Sequence, residues 1–75
     1  MNRVGEVVRL AQGLLVVRAP DESVPEIGTP VVDESLADVG RAVDVFGPVA
    51  RPYVAVSPAD DVEPPALLGE KLYAE

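Results

Sequence analysis

The sequence predicts an all-β fold, a small six-stranded β-barrel with short loops and at most one or two helical turns. Its apolar runs are short and rich in valine, and turn residues interrupt them about every ten residues. The branched valine side chain suits a pleated strand better than a helix. The six predicted strands are Arg3 to Leu10, Leu14 to Ala19, Thr29 to Asp33, Val39 to Phe46, Pro52 to Ser57, and Gly69 to Ala74.

The first two predicted strands form a hairpin, because only Ala11-Gln12-Gly13 separates them and glycine readily takes a positive φ. In the fifth strand, Val54 and Val56 flank Ala55, which gives it one inward face. The second strand is different, since Leu14-Leu15-Val16-Val17 is apolar on both faces. Such a strand needs cover on each side.

Three segments place a glycine near the start of a predicted strand: Val4-Gly5-Glu6, Val39-Gly40-Arg41 and Leu68-Gly69-Glu70. Glycine inside a strand often marks a sharp bend at a barrel corner, so these segments favour a barrel over a sandwich. Their spacings are unequal, which argues against a tandem repeat.

Two long loops and two helical turns complete the expected secondary structure. Residues 20–30 and 57–65 combine prolines with carboxylates, a composition that favours extended or turn backbone at the surface. Residues 33–38 and 66–68 are each long enough for one helical turn but not for a stable helix.

With 75 residues, the chain is expected to form a single domain over positions 1–75. A domain of this size buries roughly 60% of its unfolded surface, so its stability is marginal unless a partner covers an apolar face. The chain contains no cysteine and no histidine, which removes disulfides, zinc thiolate sites and the usual neutral-pH proton carrier. No apolar run approaches the length of a membrane span, and a soluble, intracellular protein is expected.

Thirteen acidic and six basic side chains give a net charge of −7. A strongly negative chain repels phosphates, so nonspecific nucleic-acid binding is disfavoured at ordinary salt. Five of the six basic residues are arginines, and few lysines with many carboxylates resemble the composition of halophilic proteins. The acidic surface has two interpretations, a solubilising surface or a high-salt adaptation, and the charge does not distinguish them.

The sequence offers no convincing catalytic, metal or cofactor site. With no histidine, Lys71 is the only amine side chain that could activate a hydroxyl, and no motif surrounds it. The neighbouring carboxylates Asp33-Glu34 and Asp60-Asp61 tend to point apart and lack the ligand spacing of a calcium loop. The available hydroxyls are those of Ser23, Ser35, Ser57, Thr29, Tyr53 and Tyr73. We therefore expect no enzymatic activity, no metal and no cofactor.

The strongest local signal lies in residues 44–56, where one strand turns through Gly47-Pro48 and the chain re-enters another strand at Pro52. Phe46 and Tyr53, two of the three aromatic residues, flank this turn. Aromatic residues beside stiff prolines are typical anchors of protein interfaces. The alternative is that both rings close the ends of the barrel.

Residues 44–58, with Phe46-Gly47-Pro48-Val49 followed by Pro52-Tyr53, resemble the Gar family of box H/ACA ribonucleoproteins, which guide pseudouridylation of RNA. Matching segments at residues 3–7, 31–33, 39–40 and 68–73 follow in the family's order, so the resemblance covers nearly the whole chain. These 75 residues contain neither the glycine- and arginine-rich tails of eukaryotic members nor the long extensions of the related Naf factor. The chain thus resembles a minimal archaeal form, and its acidity suggests a haloarchaeal one.

This resemblance implies a six-stranded barrel in the cytoplasm of an archaeal cell that docks on the catalytic domain of the pseudouridine synthase. Such a subunit has no active site, contacts guide and substrate RNA only indirectly, and influences substrate loading and product release in rRNA processing. Carried over by position, the partner-binding residues are Phe46, Gly47, Pro48, Val49, Pro52, Tyr53 and Val54.

The main alternative is a direct RNA-binding barrel of the oligonucleotide-binding type. Such barrels combine a basic groove with several stacking aromatic residues. Here acidic residues outnumber basic ones about two to one, and only three aromatic residues are present. A β-barrel module of a translation factor or an oxidoreductase is a third, weaker interpretation.

Overall fold

A computed structural model describes residues 2–74 and confirms the all-β prediction: six antiparallel strands close into a barrel. The strands are β1 (Asn2–Ala11), β2 (Leu14–Arg18), β3 (Pro30–Val32), β4 (Asp38–Phe46), β5 (Tyr53–Pro58) and β6 (Lys71–Ala74). A single 3₁₀ turn, Pro64–Leu67, precedes β6. Around the barrel, the strand order is β1-β2-β5-β4-β3-β6.

Each predicted strand corresponds to an observed one, with differences at the ends. β3 is shorter than predicted because Thr29 and Asp33 belong to turns, and β6 begins at Lys71 because Gly69 lies in the turn before it. No helix in the described part of the chain is long and apolar enough to cross a membrane.

The barrel interior is filled by aliphatic side chains from all six strands. Leu15, Val17, Val54, Val56 and Leu72 are fully buried members of this core. Leu67 of the 3₁₀ turn and the partly buried Leu10 and Val45 pack against it. Phe46 and Tyr53 are not part of this cluster, so the aromatic rings do not fill the barrel interior.

The barrel consists of two three-stranded units with the same design, β6-β1-β2 and β3-β4-β5. In each unit the long central strand contains a glycine that faces a backbone carbonyl of the neighbouring strand: a Cβ on Gly5 would overlap Arg18 O, and one on Gly40 would overlap Ser57 O. Three residues later, each central strand shifts register around one extra valine, Val8 in β1 and Val43 in β4. Gly5 and Gly40 therefore occupy equivalent positions in the two units. The sequence interpretation missed this relation because it compared three glycine segments, and the third lies outside both central strands.

Backbone geometry explains the turns. Gln12 and Gly13 both have positive φ, 53° and 77°, as a two-residue type I′ hairpin requires. In the turn after β3, the Asp33 carboxylate accepts hydrogen bonds from Ser35 Oγ (2.7 Å) and from the Ala37 amide (3.0 Å). These two bonds, the first more than the second, hold the pKa of Asp33 below its usual value against a smaller opposing effect of burial. Residues 33–38 thus form a turn that the Asp33 carboxylate stabilises, in which Leu36 has a positive φ. They do not form the predicted helical turn.

Candidate partner-binding surface

The segment from Phe46 to Tyr53 connects the end of β4 to the start of β5 on the outside of the barrel. Phe46 and Tyr53 are direct cross-strand partners in the β4–β5 ladder. Their neighbours in the strands, Val45 and Val54, face the core, so both rings must face outward. The pair therefore lies on the outer surface at one end of the β4–β5 hairpin.

The two rings stack, with centroids 5.5 Å apart and an interplanar angle of 23°. Arg18, the partner of Tyr53 in the neighbouring strand β2, places its guanidinium carbon 4.9 Å from the centre of the Tyr53 ring. The Arg18 Nη1 group also donates a hydrogen bond of 2.9 Å to the Tyr53 hydroxyl. Tyr53 is thus held from two neighbouring strands, which limits its side-chain freedom.

Gly47 allows the loop to pass close to the Tyr53 ring. Its φ is +90°, and a Cβ at this position would lie 2.8 Å from Tyr53 Cδ2. A real Cβ does not approach another carbon this closely, and L-residues other than glycine rarely adopt this φ. Gly47 is therefore required by both the turn and the stacked ring.

The far end of the loop is attached to the end of β2. The Ala19 amide donates a hydrogen bond of 3.0 Å to Pro52 O, and Arg51 Nε donates one of 3.4 Å to Ala19 O. Ala19 is fully buried and Pro52 is buried as well. These contacts, together with the fixed φ of Pro48 and Pro52, hold the loop in one position.

Between these fixed ends, the loop presents apolar side chains to solvent. Val49 is 86% exposed, the highest value among the exposed large apolar residues that the structure describes, and Phe46 is 40% exposed. Pro48 is exposed and Tyr53 is half-buried. We call Phe46, Pro48, Val49 and Tyr53 the aromatic surface.

Two of the predicted partner-binding residues, Val54 and Pro52, are buried and do not present their side chains to a partner. Val54 is fully buried in the core beside Val56 and has no side-chain surface to offer a partner. The buried Pro52 fixes the backbone instead of presenting its ring. Of the seven predicted residues, Gly47 shapes the backbone, and the four residues of the aromatic surface remain available.

Sequence reasoning missed Arg18, which completes the stack on Tyr53. Arg18 is far from Tyr53 in sequence, and only the pairing of β2 with β5 brings the two together. A single sequence does not reveal a nonlocal register. The sequence gives only a weak indication of this role, because Arg18 ends an otherwise apolar strand.

The structure places other candidate residues in turns. Ser35 donates to Asp33 as part of a turn, and Asp60 and Asp61 are exposed in the turn after β5. Among residues 2–74, no group of three potential ligands is arranged to hold a metal ion.

Comparison with known proteins identifies the family of this chain. The family model for the Gar1/Naf1 RNA binding region matches residues 1–75. An uncharacterized protein of Methanothermobacter thermautotrophicus is 26% identical over 77 residues, which cover 97% of this chain and 82% of that protein. An uncharacterized protein of Methanocaldococcus jannaschii is 38% identical over 53 residues, which cover 69% of this chain and 62% of that protein.

Proposed function

This chain belongs to the Gar1/Naf1 RNA binding region family, and from this premise we propose that it docks on the catalytic domain of a pseudouridine synthase as an accessory subunit. Membership confirms the resemblance noted in the sequence. It associates the chain with H/ACA ribonucleoproteins and with a family of non-catalytic accessory proteins. The proposal adds the partner, the docking face, and a location in the cytoplasm of an archaeal cell.

The observation that carries the proposal is the aromatic surface. Its rings are stacked, its loop is attached to Ala19, the residue that follows β2, and Val49 projects into solvent. Because the surface is already ordered, docking loses little conformational freedom. Each Å² of apolar surface that a partner removes from water contributes about 25 cal/mol. An exposed apolar surface that is held in place in this way suits a protein interface.

The proposed effect on the reaction is indirect. The barrel supplies no group that attacks a uridine base; it holds a position on the synthase from which it alters substrate RNA loading and product release. This role needs a binding surface and no active site, in keeping with a chain that contains no histidine or cysteine.

Direct RNA binding is the second candidate function, and the family description itself refers to an RNA binding region. The closed six-stranded barrel differs from the five-stranded oligonucleotide-binding fold. The net charge of −7 also weakens attraction to a phosphate backbone. We therefore favour protein docking, with RNA contacted through the assembled complex.

Titration of the synthase catalytic subunit by calorimetry tests this proposal. Tyr53→Ala removes the central ring of the aromatic surface and should weaken binding by about 2 kcal/mol, as for interface hot spots. Val49→Asp should weaken it at least as much, because docking would bury an unpaired charge. Tyr73→Ala and Val24→Asp are the matched controls: Tyr73 is half-buried on β6, and Val24 is an exposed loop valine. Both controls should bind as the unmodified chain does.

Unchanged affinity in folded Tyr53→Ala and Val49→Asp variants would place the docking face elsewhere on the barrel. The same titration with guide RNA alone tests the second candidate. Tight RNA binding in the absence of the synthase would favour direct recognition over docking.

A further inference from the structure

Three of the six basic residues line one groove on the outside of the barrel. Arg3 of β1, Arg18 of β2 and Arg51 of the β4–β5 loop surround a space of about 370 Å³. Among the described residues 2–74, Glu6 is the only carboxylate in its lining. We call this space the arginine groove. In a chain with 13 acidic residues, it concentrates positive charge at one place.

Arg18 and Arg51 of this groove use only some of their N–H groups in hydrogen bonds within the described structure. Arg18 uses Nη1 to bind the Tyr53 hydroxyl, while its Nε is buried without a hydrogen-bond partner among the described residues. The Arg51 side chain donates from Nε to a backbone carbonyl, Ala19 O, at 3.4 Å. A guanidinium carries five N–H donors. The hydrogen bonds of Arg18 and Arg51 go to a hydroxyl and a carbonyl, and Arg51 keeps further N–H donors for an anionic ligand.

The arginine groove adjoins the aromatic surface, because Tyr53 belongs to both. A protein that covers the Tyr53 ring would also cover the mouth of this groove. Covering the groove would remove water from the guanidinium groups and strengthen a charged hydrogen bond formed there. The two features therefore form one continuous surface with an apolar part and a cationic part.

The charge of the whole chain favours a single carboxylate over a nucleic-acid backbone as the ligand. An RNA strand brings many phosphates, and those beyond the groove would face a protein with a net charge of −7. One Asp or Glu side chain on a folded partner brings one charge, which the planar guanidinium can bind through two hydrogen bonds. The exposed Val8 in the groove lining also offers an apolar contact for the methylene groups of such a side chain.

We infer that the arginine groove binds an acidic side chain of the protein that docks on the aromatic surface, an inference that rests on the proposed function. Arg3 and Arg51 would supply the charged contacts. Arg18 would hold Tyr53 between the two parts of the surface. The contact would set the orientation of the docked barrel.

The test compares two double variants that change net charge equally, again by calorimetry with the synthase catalytic subunit. Arg3→Gln with Arg51→Gln neutralises the groove and spares Arg18, which supports Tyr53. Arg9→Gln with Arg41→Gln is the control, since both arginines are exposed and lie outside the groove lining. The groove variant should bind about tenfold more weakly, with a shallower dependence on salt. The control should stay within about twofold of the unmodified chain.

Thermal unfolding by circular dichroism is measured for every variant. If the groove variant fails to fold, Arg3→Lys with Arg51→Lys replaces it. That pair keeps the charge but loses the paired geometry, and a loss of about threefold is then expected.

Equal affinities for the groove and control variants, with binding still weakened by Val49→Asp, would overturn this inference and leave the docking proposal standing. If Val49→Asp also has no effect, the docking surface itself is wrong. A loss seen only in guide RNA binding would identify a phosphate as the ligand and overturn the carboxylate assignment.

Discussion

Tyr53 shows how the position of one side chain depends on residues that are distant in sequence. Its ring lies between Phe46 of β4 and Arg18 of β2, and its hydroxyl accepts a hydrogen bond from Arg18. The Gly47 backbone passes beside the same ring. The sequence indicated the two aromatic residues and the glycine, because all three lie in one short segment. It did not reveal Arg18, which reaches Tyr53 only through strand pairing.

For Val54, the sequence analysis assigned a residue of the barrel core to the partner-binding surface. The alternation of Val54, Ala55 and Val56 already predicted one inward face. The family resemblance nevertheless placed Val54 in the partner site, together with the outward-facing Tyr53 next to it. Adjacent residues of a strand face opposite sides, so they cannot both contribute side chains to one outer surface. The alternation was the better guide.

Gly47→Ala should disturb the aromatic surface from inside the loop. Gly28→Ala is a matched control, because Gly28 has nearly the same φ (+92°) but nothing within 4 Å of its Cβ position. Both substitutions carry the strain of a positive φ, but only Gly47→Ala also pushes against the Tyr53 ring. We expect Gly47→Ala to lower the free energy of unfolding by about 1 kcal/mol more than the control, in denaturant titrations. Only Gly47→Ala should alter the near-ultraviolet tyrosine signal. Equal effects of the two variants would mean that the ring moves aside freely.

At the level of elements, the sequence predicted the number and the approximate ends of the strands because each strand is a short valine-rich run between turn residues. It did not predict the order β1-β2-β5-β4-β3-β6. Among the described residues, only the β1–β2 hairpin has a two-residue turn that fixes its own pairing. The β2–β5 and β3–β6 pairings join the two three-stranded units, and local sequence patterns do not predict them.

Gly5 and Gly40 lie where the pairing of each long strand passes from one neighbouring strand to the other. β1 pairs with β6 up to Glu6 and with β2 from Glu6 onward, and β4 changes from β3 to β5 around Gly40 and Arg41. At each glycine a carbonyl of the neighbouring strand approaches closely. Gly69 has a similar local sequence but precedes β6, and nothing lies within 4 Å of its Cβ position. Similar glycine segments therefore have different structural roles.

Gly5→Ala should prevent stable folding, because its Cβ would overlap the Arg18 carbonyl and separate β1 from β2. We expect a loss of more than about 3 kcal/mol in unfolding free energy, a large fraction of the total for a domain of this size. Gly69→Ala should lose only about 1 kcal/mol, from the strain of a positive φ. Thermal unfolding followed by far-ultraviolet circular dichroism distinguishes the two. A cooperative transition of Gly5→Ala at the wild-type temperature would show that this position tolerates a side chain.

At the scale of the whole molecule, the dominant feature is a net charge of −7 on a barrel with a radius of gyration of 10.7 Å. The Debye length is about 10 Å at 0.1 M salt, so carboxylates across the surface repel one another at ordinary ionic strength. The basic residues do not offset this evenly, since three of the six lie in the arginine groove. The surface elsewhere is therefore more acidic than the net charge suggests.

The melting temperature should accordingly rise with added KCl. At 1 M salt the Debye length is about 3 Å, and repulsion between separated carboxylates is largely screened. A gain of about 1 kcal/mol in stability corresponds to roughly 4 to 8 °C for a domain of this size. Asp60→Asn with Asp61→Asn removes two exposed charges of the turn after β5, so this variant should melt higher in low salt and gain less from KCl. Calorimetric melting from low to molar KCl measures both trends. A melting temperature that does not change with salt, in the unmodified chain and the variant alike, would show that repulsion between these carboxylates does not limit the stability of the barrel.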